Sequence, residues 1–271
     1  MTLLITGATG LVGQRLLNRL IEAGHVCRAL VRSETVVPSG VTKIEGDLLD
    51  GASLTEAVTG VSTIIHLAAT FRTSDTELIW RVNLEGTRNL IAASQTRVPN
   101  VRFIMASTTN VYGVDGAWPG REDDAVDPQQ AYPASKLAAE REVQESGLNW
   151  CIQRFGFVYG DQDGHLEALP GHVAQAGWHP ALRMSVIHHR DIATAIQLAL
   201  TGAMDRHIVN IVDDAPTSLY ELAGLVGKTL PSSSAPLENP WHFHVDGSLA
   251  RTLGFQPSVR TVSQAVQEQL L

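Results

Sequence analysis

Cysteine is scarce in this chain, where Cys27 and Cys151 are the only two among 271 residues. Two cysteines cannot build a disulfide scaffold, so we expect a protein of the reducing cytoplasm.

Basic residues are outnumbered, with 20 Lys and Arg against 28 Asp and Glu and a formal net charge of −8 at pH 7. Nucleic acid requires a basic face, so no nucleic-acid partner is expected. An anionic cofactor stays possible, because a few amides and one arginine can bind it locally.

Long hydrophobic runs are also missing, and the first apolar run covers only about four residues. We therefore expect neither a signal peptide nor a membrane partner. The ten histidines bring no Asp, Glu or Cys at ligand spacing, so no metal site is predicted.

Short apolar runs alternate with segments whose apolar residues recur at helical spacing. This alternation predicts an α/β fold, a Rossmann-type doubly wound parallel sheet that binds ligands at the carboxyl ends of its strands. The predicted strands are 2–6, 26–31, 42–45, 63–67, 102–106 and 150–155, and the predicted helices are 12–23, 76–94 and 131–145.

The pattern loosens beyond residue 160, most of all over 161–183. We expect 1–160 to form the dinucleotide-binding domain. Residues 161–271 should form mostly a small C-terminal substrate-binding region, with some segments returning to the first domain. The elements predicted there are helices at 191–200, 218–229 and 259–270 and a strand near 207–211.

Three glycines, Gly7, Gly10 and Gly13, lie between the first strand and the first helix. Such a turn brings the backbone close to a phosphate, and the helix N-terminus supplies unpaired N–H donors. This placement predicts a cofactor pyrophosphate site, which also includes Thr9, Leu11 and Val12.

The second strand is followed by Arg32 and Ser33, where NAD enzymes of this architecture place an acidic residue. A guanidinium and a hydroxyl suit a 2′-phosphate instead, which predicts NADP, with NAD possible. Arg28 is a second possible phosphate partner, and Asp47 and Leu48 after the third strand could contact the adenine edge.

Tyr132 and Lys136 lie four residues apart, on one face of a predicted helix. A free tyrosine titrates near ~10 and is a poor base at neutral pH. A nearby ammonium and an oxidised nicotinamide would stabilise the phenolate, so the pair could move a proton on a carbinol during hydride transfer.

These motifs together resemble the extended short-chain dehydrogenase/reductases, the NAD-dependent epimerase/dehydratase family, nearly from end to end. The segments that carry the resemblance are 7–13, 46–48, 66–69, 82–87, 111–113, 132–136, 154–160, 188–193 and 250–257.

The resemblance implies that Tyr132 is the acid/base and that Lys136 tunes it and binds ribose. Thr108 would hydrogen-bond the reacting oxygen, with Ser107 as the fallback. Proline replaces the usual glycine at Pro133, which a first helical turn tolerates. Three further implied sets are the cofactor channel at Leu67, Ala68 and Ala69, the supporting network at Asn83, and the nicotinamide neighbour Phe155.

Departures from the family pattern bear on the reaction. Thr109 and Asn110 stand where the resemblance implies an acidic pair in dehydratases, and Phe157 where many sugar-nucleotide epimerases have an asparagine. The arginine expected upstream of His188 falls on Met184. The missing acidic pair argues against a dehydratase, and Phe155, Phe157 and Val158 indicate an apolar substrate pocket.

The leading hypothesis is therefore an NADP-dependent oxidoreductase that interconverts a carbonyl and a secondary alcohol on a small or moderately apolar molecule. The alternative is a sugar or sugar-nucleotide epimerase, and the third hypothesis is a catalytically silent NADP-binding regulatory protein. The resemblance also implies a possible homodimer through a four-helix interface of 76–94 and 131–145.

Overall fold

The structure is a computed structural model that describes residues 1–32 and 34–271. Ser33, which was predicted together with Arg32 to bind a 2′-phosphate, lies outside the described residues.

A seven-stranded sheet runs through the middle of the molecule, and all its neighbouring strands are parallel. Its strands are β1 (Thr2–Thr6), β2 (Val26–Val31), β3 (Thr42–Glu45), β4 (Thr63–His66), β5 (Arg102–Thr108), β6 (Asn149–Phe155) and β10 (Ile208–Ile211). Their spatial order is β3-β2-β1-β4-β5-β6-β10. In β1, the run from Leu3 to Ile5 is wholly buried, as expected for a strand covered on both faces.

Helices cover both faces of this sheet, which confirms the predicted doubly wound fold. They are α1 (Leu11–Glu22), α2 (Gly51–Val58), α3 (Thr76–Trp80), α4 (Gly86–Arg97), α5 (Ala131–Glu145) and α7 (His189–Leu200). Apolar side chains of α1 and α7, such as Leu16 and Ile196, bury against one face. Those of α2, α4 and α5, such as Leu54, Leu90 and Val143, bury against the other.

The C-terminal part has a hydrophobic core of its own, which includes Leu166, Val173 and Leu222. There β7 pairs in parallel with β9, and β8 pairs antiparallel with β11. The elements are β7 (Phe157–Tyr159), α6 (His165–Ala176), β8 (Arg183–Met184), β9 (Val186–His188), β11 (Thr217–Ser218), α8 (Leu219–Leu225), α9 (Ser248–Thr252) and α10 (Val262–Gln267). Residues beyond 160 also supply β10 and α7 to the main sheet.

The structure differs from the sequence prediction in two helical regions. The loosely patterned segment 161–183 contains the 12-residue helix α6 in spite of Pro170, because Leu166, Leu169 and Val173 line one helix face and bury in the third core. The helix predicted over 76–94 is interrupted by a π-helical segment, Arg81–Glu85, between α3 and α4. Its buried Asn83 contacts the candidate site described next.

Candidate active site

The turn between β1 and α1 requires glycine for steric reasons. Gly7 has a φ of 69°, a conformation that side-chain-bearing residues rarely adopt. A Cβ on Gly13 would lie 2.0 Å from the carbonyl oxygen of Gly7. The turn is therefore closely packed, and α1 begins after Gly10, which has no side chain to cap the helix.

A cavity of about 1210 Å³ opens at the carboxyl ends of the sheet strands. It exceeds the ~300–1,000 Å³ typical of one small-molecule site, which leaves room for two molecules. All the predicted cofactor residues within the described part of the chain line it: Gly7, Thr9, Gly10, Leu11, Val12, Gly13, Arg32, Asp47, Leu48, Leu67, Ala68, Ala69, Tyr132, Lys136 and Phe155.

The two arginines of the second strand region lie in different environments. Arg32 is exposed and lines the cavity just after β2 ends. Arg28 instead donates from Nη1 to the Thr59 carbonyl at 2.7 Å and is absent from the cavity lining. The sequence alternative of Arg28 as a phosphate partner therefore has no support in this geometry. Asp47 lines the cavity and accepts a hydrogen bond from the Leu49 N–H at 2.8 Å.

Tyr132 and Lys136 both line the cavity from the first turns of α5. Burial raises the pKa of the Tyr132 phenol to about 12, an effect that the Arg72 guanidinium opposes. Burial lowers the pKa of Lys136 to about 8, and the Glu140 carboxylate opposes that fall. The Tyr132 phenol is therefore protonated at neutral pH, and Lys136 stays largely cationic.

Two hydroxyl groups at the end of β5 compete for the predicted role beside Tyr132. Ser107 Oγ donates to the buried carboxylate of Glu140. Thr108 Oγ1 accepts a hydrogen bond from the Asn110 N–H at 3.1 Å, so its own proton is available toward the cavity that it lines. This difference favours Thr108 over Ser107 as a donor to a substrate oxygen.

Asn83 differs from the other predicted site residues because it does not line the cavity. Its Oδ1 accepts from the Thr70 N–H at 2.7 Å, and its Nδ2 donates to the Thr70 carbonyl and to Ser135 Oγ, each at 3.0 Å. Asn83 therefore joins the loop after β4 to the N-terminal part of α5, and its role in supporting a catalytic site stays a prediction.

A directed chain of hydrogen bonds around His66 fixes the backbone at Ala68. Thr87 donates to the Asn83 carbonyl at 2.6 Å and so accepts from His66 Nε2 at 2.9 Å. His66 Nδ1 then accepts from the Thr6 hydroxyl at 2.7 Å, and the Thr6 oxygen accepts from the Ala68 N–H at 3.3 Å. Burial, with a smaller effect of Lys136, lowers the pKa of His66 to about 3, which keeps it in the neutral form that this chain needs.

A buried ion pair that sequence reasoning missed lies beneath Lys136. Arg154 donates to Glu140 through Nε at 3.1 Å and Nη2 at 2.7 Å, and both side chains are at most 2% exposed. Arg154 Nη1 also donates to the Tyr112 hydroxyl at 3.0 Å, and that hydroxyl donates to Asn210 Oδ1 at 2.8 Å. The network ties β5, α5, β6 and β10 together at the floor of the site. The one local signal for it is that Glu140 follows Lys136 by four residues, on the same helix face.

The cavity wall beyond Tyr132 is mostly apolar and aromatic. Phe157, which the sequence analysis placed in an apolar pocket, lines it together with Met184, whereas the neighbouring Arg183 does not. Trp178 lines it as well, and Trp118 does not. The remaining wall residues of this end include Val158, His165, Leu169, His172, His242 and Phe243.

Residues 1–32 and 34–271 form neither a candidate metal centre nor a helix that could cross a membrane. No three or more His, Cys, Asp or Glu side chains come together in a way that could hold a metal ion. Within the same residues, every helix is too short or too polar to cross a membrane.

Cys27 and Cys151 are both buried free thiols.

Comparison with known proteins places this geometry in a family. A 3-beta-hydroxysteroid dehydrogenase from Mycolicibacterium neoaurum is 28% identical over 260 residues, which cover 84% of this chain and 71% of that protein. A protein from Synechocystis sp. that carries the provisional name dihydroflavonol 4-reductase is 32% identical over 94% of this chain and 81% of its own length.

Among solved structures, a short-chain dehydrogenase/reductase superfamily protein from Agrobacterium tumefaciens, crystallised with NAD, has the same fold. It superposes with a TM-score of 0.81 at 23% identity and covers 99% of this chain and 95% of that chain. The sequence profile of the NAD dependent epimerase/dehydratase family matches residues 3–212. The family expected from the sequence motifs is thereby confirmed, and this chain belongs to the NAD dependent epimerase/dehydratase family.

Proposed function

We propose that the protein is an NADP-dependent oxidoreductase that interconverts a carbonyl and a secondary alcohol on a small or moderately apolar substrate. The observation that carries this proposal is the apolar wall beyond Tyr132, formed by side chains such as Phe157, Leu169 and Trp178. Burial of apolar surface would favour a ring or an aliphatic group there. The two relatives named as a dehydrogenase and a reductase support an oxidoreductase.

The glycine turn fits a dinucleotide. The space beside Gly13 would be filled by any Cβ, and α1 presents its N-terminal N–H groups to the cavity without a side-chain cap. Such an N-terminus favours the negative charge of a pyrophosphate. Residues Thr9 to Gly13 would hold the pyrophosphate, and Lys136 would contact the ribose next to the nicotinamide. When bound, the dinucleotide supplies hydride transfer.

Three side chains would handle the substrate oxygen in the reductive direction. Thr108 donates a hydrogen bond that fixes the carbonyl, and Tyr132 gives the proton that converts the reduced carbonyl into an alcohol. The Lys136 cation stabilises the resulting phenolate, which lowers the barrier for the proton to leave. Burial makes this help necessary, because it raises the pKa of Tyr132 to about 12.

The preference for NADP over NAD rests on Arg32. Arg32 is exposed, follows the carboxyl end of β2 and lines the cavity, and a guanidinium suits a 2′-phosphate. Purified protein assayed with NADPH and with NADH should give a higher kcat/KM with NADPH. Equal values for the two cofactors would contradict the preference.

A carbonyl panel separates the three functional hypotheses. We expect steady NADPH oxidation with aryl ketones or cyclic ketones. The assay measures it as the loss of the absorbance of the reduced nicotinamide. An epimerase would instead retain its cofactor through purification and convert UDP-glucose without net oxidation of NADPH. Tight NADPH binding with no turnover on either substrate class would support the regulatory hypothesis and contradict ours.

We also propose that two copies associate through helices α4 and α5. These helices lie side by side, with Arg88 paired to Glu142 at 2.6 Å and Gln95 bonded to the Ser146 carbonyl at 2.7 Å. A two-fold axis would turn this pair into a four-helix interface. Sedimentation velocity should give the mass of a dimer, and a monomer at all concentrations would contradict the arrangement.

A further inference from the structure

A second cavity lies behind the apolar end of the candidate substrate site. It has a volume of about 600 Å³, and its walls include Val173, Leu182 and Leu230. Trp178 and His242 line both cavities. Their rings therefore stand between the substrate end of the first cavity and the second.

The partition between the cavities is a packed group of three rings. The Trp178 and Phe243 ring centroids are 4.6 Å apart in an edge-to-face arrangement, and His242 stacks on Phe243 at 3.6 Å. Trp178 and His242 also meet edge to face, at 6.4 Å. Aromatic pairs of this geometry attract one another beyond the effect of burial.

The backbone on both sides holds these rings in place. Phe243 has a φ of 67°, which is rare for a bulky residue and costs energy unless its surroundings enforce it. Its carbonyl accepts a hydrogen bond from the Ser185 N–H at 2.9 Å, and Ser185 Oγ accepts from the Val245 N–H at 3.0 Å. Strain maintained beside a candidate binding site is consistent with a function for the ring that it positions.

The end of α6 fixes Trp178 from the other side. The helix stops at Gly177, whose φ is 65°, and the Trp178 N–H donates to the Val173 carbonyl at 3.1 Å. This C-terminal turn directs the chain so that the indole borders both cavities.

We infer that Trp178 is a specificity-determining residue that sets the length of the substrate, and that the second cavity is a subsite for an apolar extension once this ring is removed. The inference rests on the proposed function in one respect, that the apolar end of the first cavity holds the substrate. Wild-type protein should then accept a compact aryl ketone and reject one lengthened along its long axis.

The test compares acetophenone, para-ethylacetophenone and para-butylacetophenone as substrates with NADPH. In Trp178→Ala, each methylene that enters the second cavity should raise kcat/KM up to about fourfold. In wild type, the butyl compound should be the poorest of the three. His242→Ala opens the same partition from the other side and serves if Trp178→Ala does not fold. Trp118→Ala is the matched control, because Trp118 is exposed and borders neither cavity.

A binding arm separates this inference from the proposed reaction. The NADP-saturated proteins are titrated with the fluorescent apolar probe N-phenylnaphthylamine, which the same three ketones then displace. A switch toward the butyl compound in Trp178→Ala or His242→Ala supports the partition even if no ketone is reduced, and that outcome contradicts only the reductase proposal. An unchanged order in both variants, or no probe binding in any of the proteins, overturns the partition.

Discussion

Replacement of Glu140 by glutamine tests the buried ion pair under the site. The change keeps the shape of the side chain and removes its charge, so the Arg154 guanidinium, 2% exposed, is left without its counter-ion. Burial alone would lower the pKa of Arg154, but the hydrogen bonds and charge of Glu140 outweigh it and raise that pKa. Breaking such a pair from one side costs about 3–5 kcal/mol, a large part of the stability of most domains.

The assay is urea-induced unfolding of Glu140→Gln beside wild type and the control Glu45→Gln. Glu45 pairs with Lys43 at 2.6 Å on the surface of β3, and its side chain is 59% exposed. We expect a fall of about 3–5 kcal/mol in the free energy of unfolding for Glu140→Gln. The control should remain close to wild type. Equal effects of the two substitutions would show that the buried ion pair contributes no more stability than a surface pair.

The same substitution should change the pH dependence of turnover. Lys136 has a pKa of about 8, where burial lowers the value and Glu140 holds it up. Its cation is present below the pKa and is lost as the pH rises through it. Without the Glu140 charge that pKa falls, so kcat/KM should decline at a lower pH in Glu140→Gln than in wild type. An alkaline limb at the same pH in both proteins would contradict a role for the Lys136 charge.

Three further predictions concern the cofactor side and its support. Arg32→Ala should weaken NADPH binding by about ten- to a hundredfold and NADH binding little. Arg28 does not line the cavity, so Arg28→Ala should leave the affinity for both cofactors unchanged. Fluorescence titration measures both affinities, and equal losses of NADPH and NADH binding in Arg32→Ala would exclude the 2′-phosphate role. Gly13→Ala should lose NADPH binding and about 1–3 kcal/mol of stability, because its Cβ would lie 2.0 Å from the Gly7 carbonyl oxygen. Near-normal NADPH binding would show that the turn does not bind the cofactor. Asn83→Ala should cost about 1–3 kcal/mol in urea unfolding, because it leaves buried polar groups unpaired, and an unchanged midpoint would contradict that.

The parts of the fold that follow from local sequence were predictable. The strand 42–45 and the helix 131–145 match the predicted bounds because their patterns of apolar residues are local. The glycine turn was predictable as well. A Cβ on Gly13 would collide with atoms of Gly7 and Ala8, which lie at most six positions away in the sequence. Helix α6 was not predicted, because its proline and glycines disfavour a helix in the local sequence. Burial of its apolar side chains in the hydrophobic core of the C-terminal part outweighs that effect.

The supporting contacts of the site were not predictable in the same way. Arg154 meets Tyr112 across 42 residues of sequence, and Tyr112 meets Asn210 across 98, distances at which no periodicity signals a pair. The left-handed backbone of Phe243 likewise depends on a contact with Ser185, far away in the sequence. The roles of Tyr132 and Thr108 stay predictions, which the turnover of their variants tests.

We propose that Tyr132 moves the proton on the substrate oxygen in an NADPH-dependent reaction. The most direct test of this claim is the turnover of Tyr132→Phe on a ketone that wild type reduces, with NADPH affinity measured on the same samples. We predict a loss of about 10²–10⁴-fold in kcat with NADPH binding retained, the range for removal of a general acid. Wild-type turnover in Tyr132→Phe would contradict the claim.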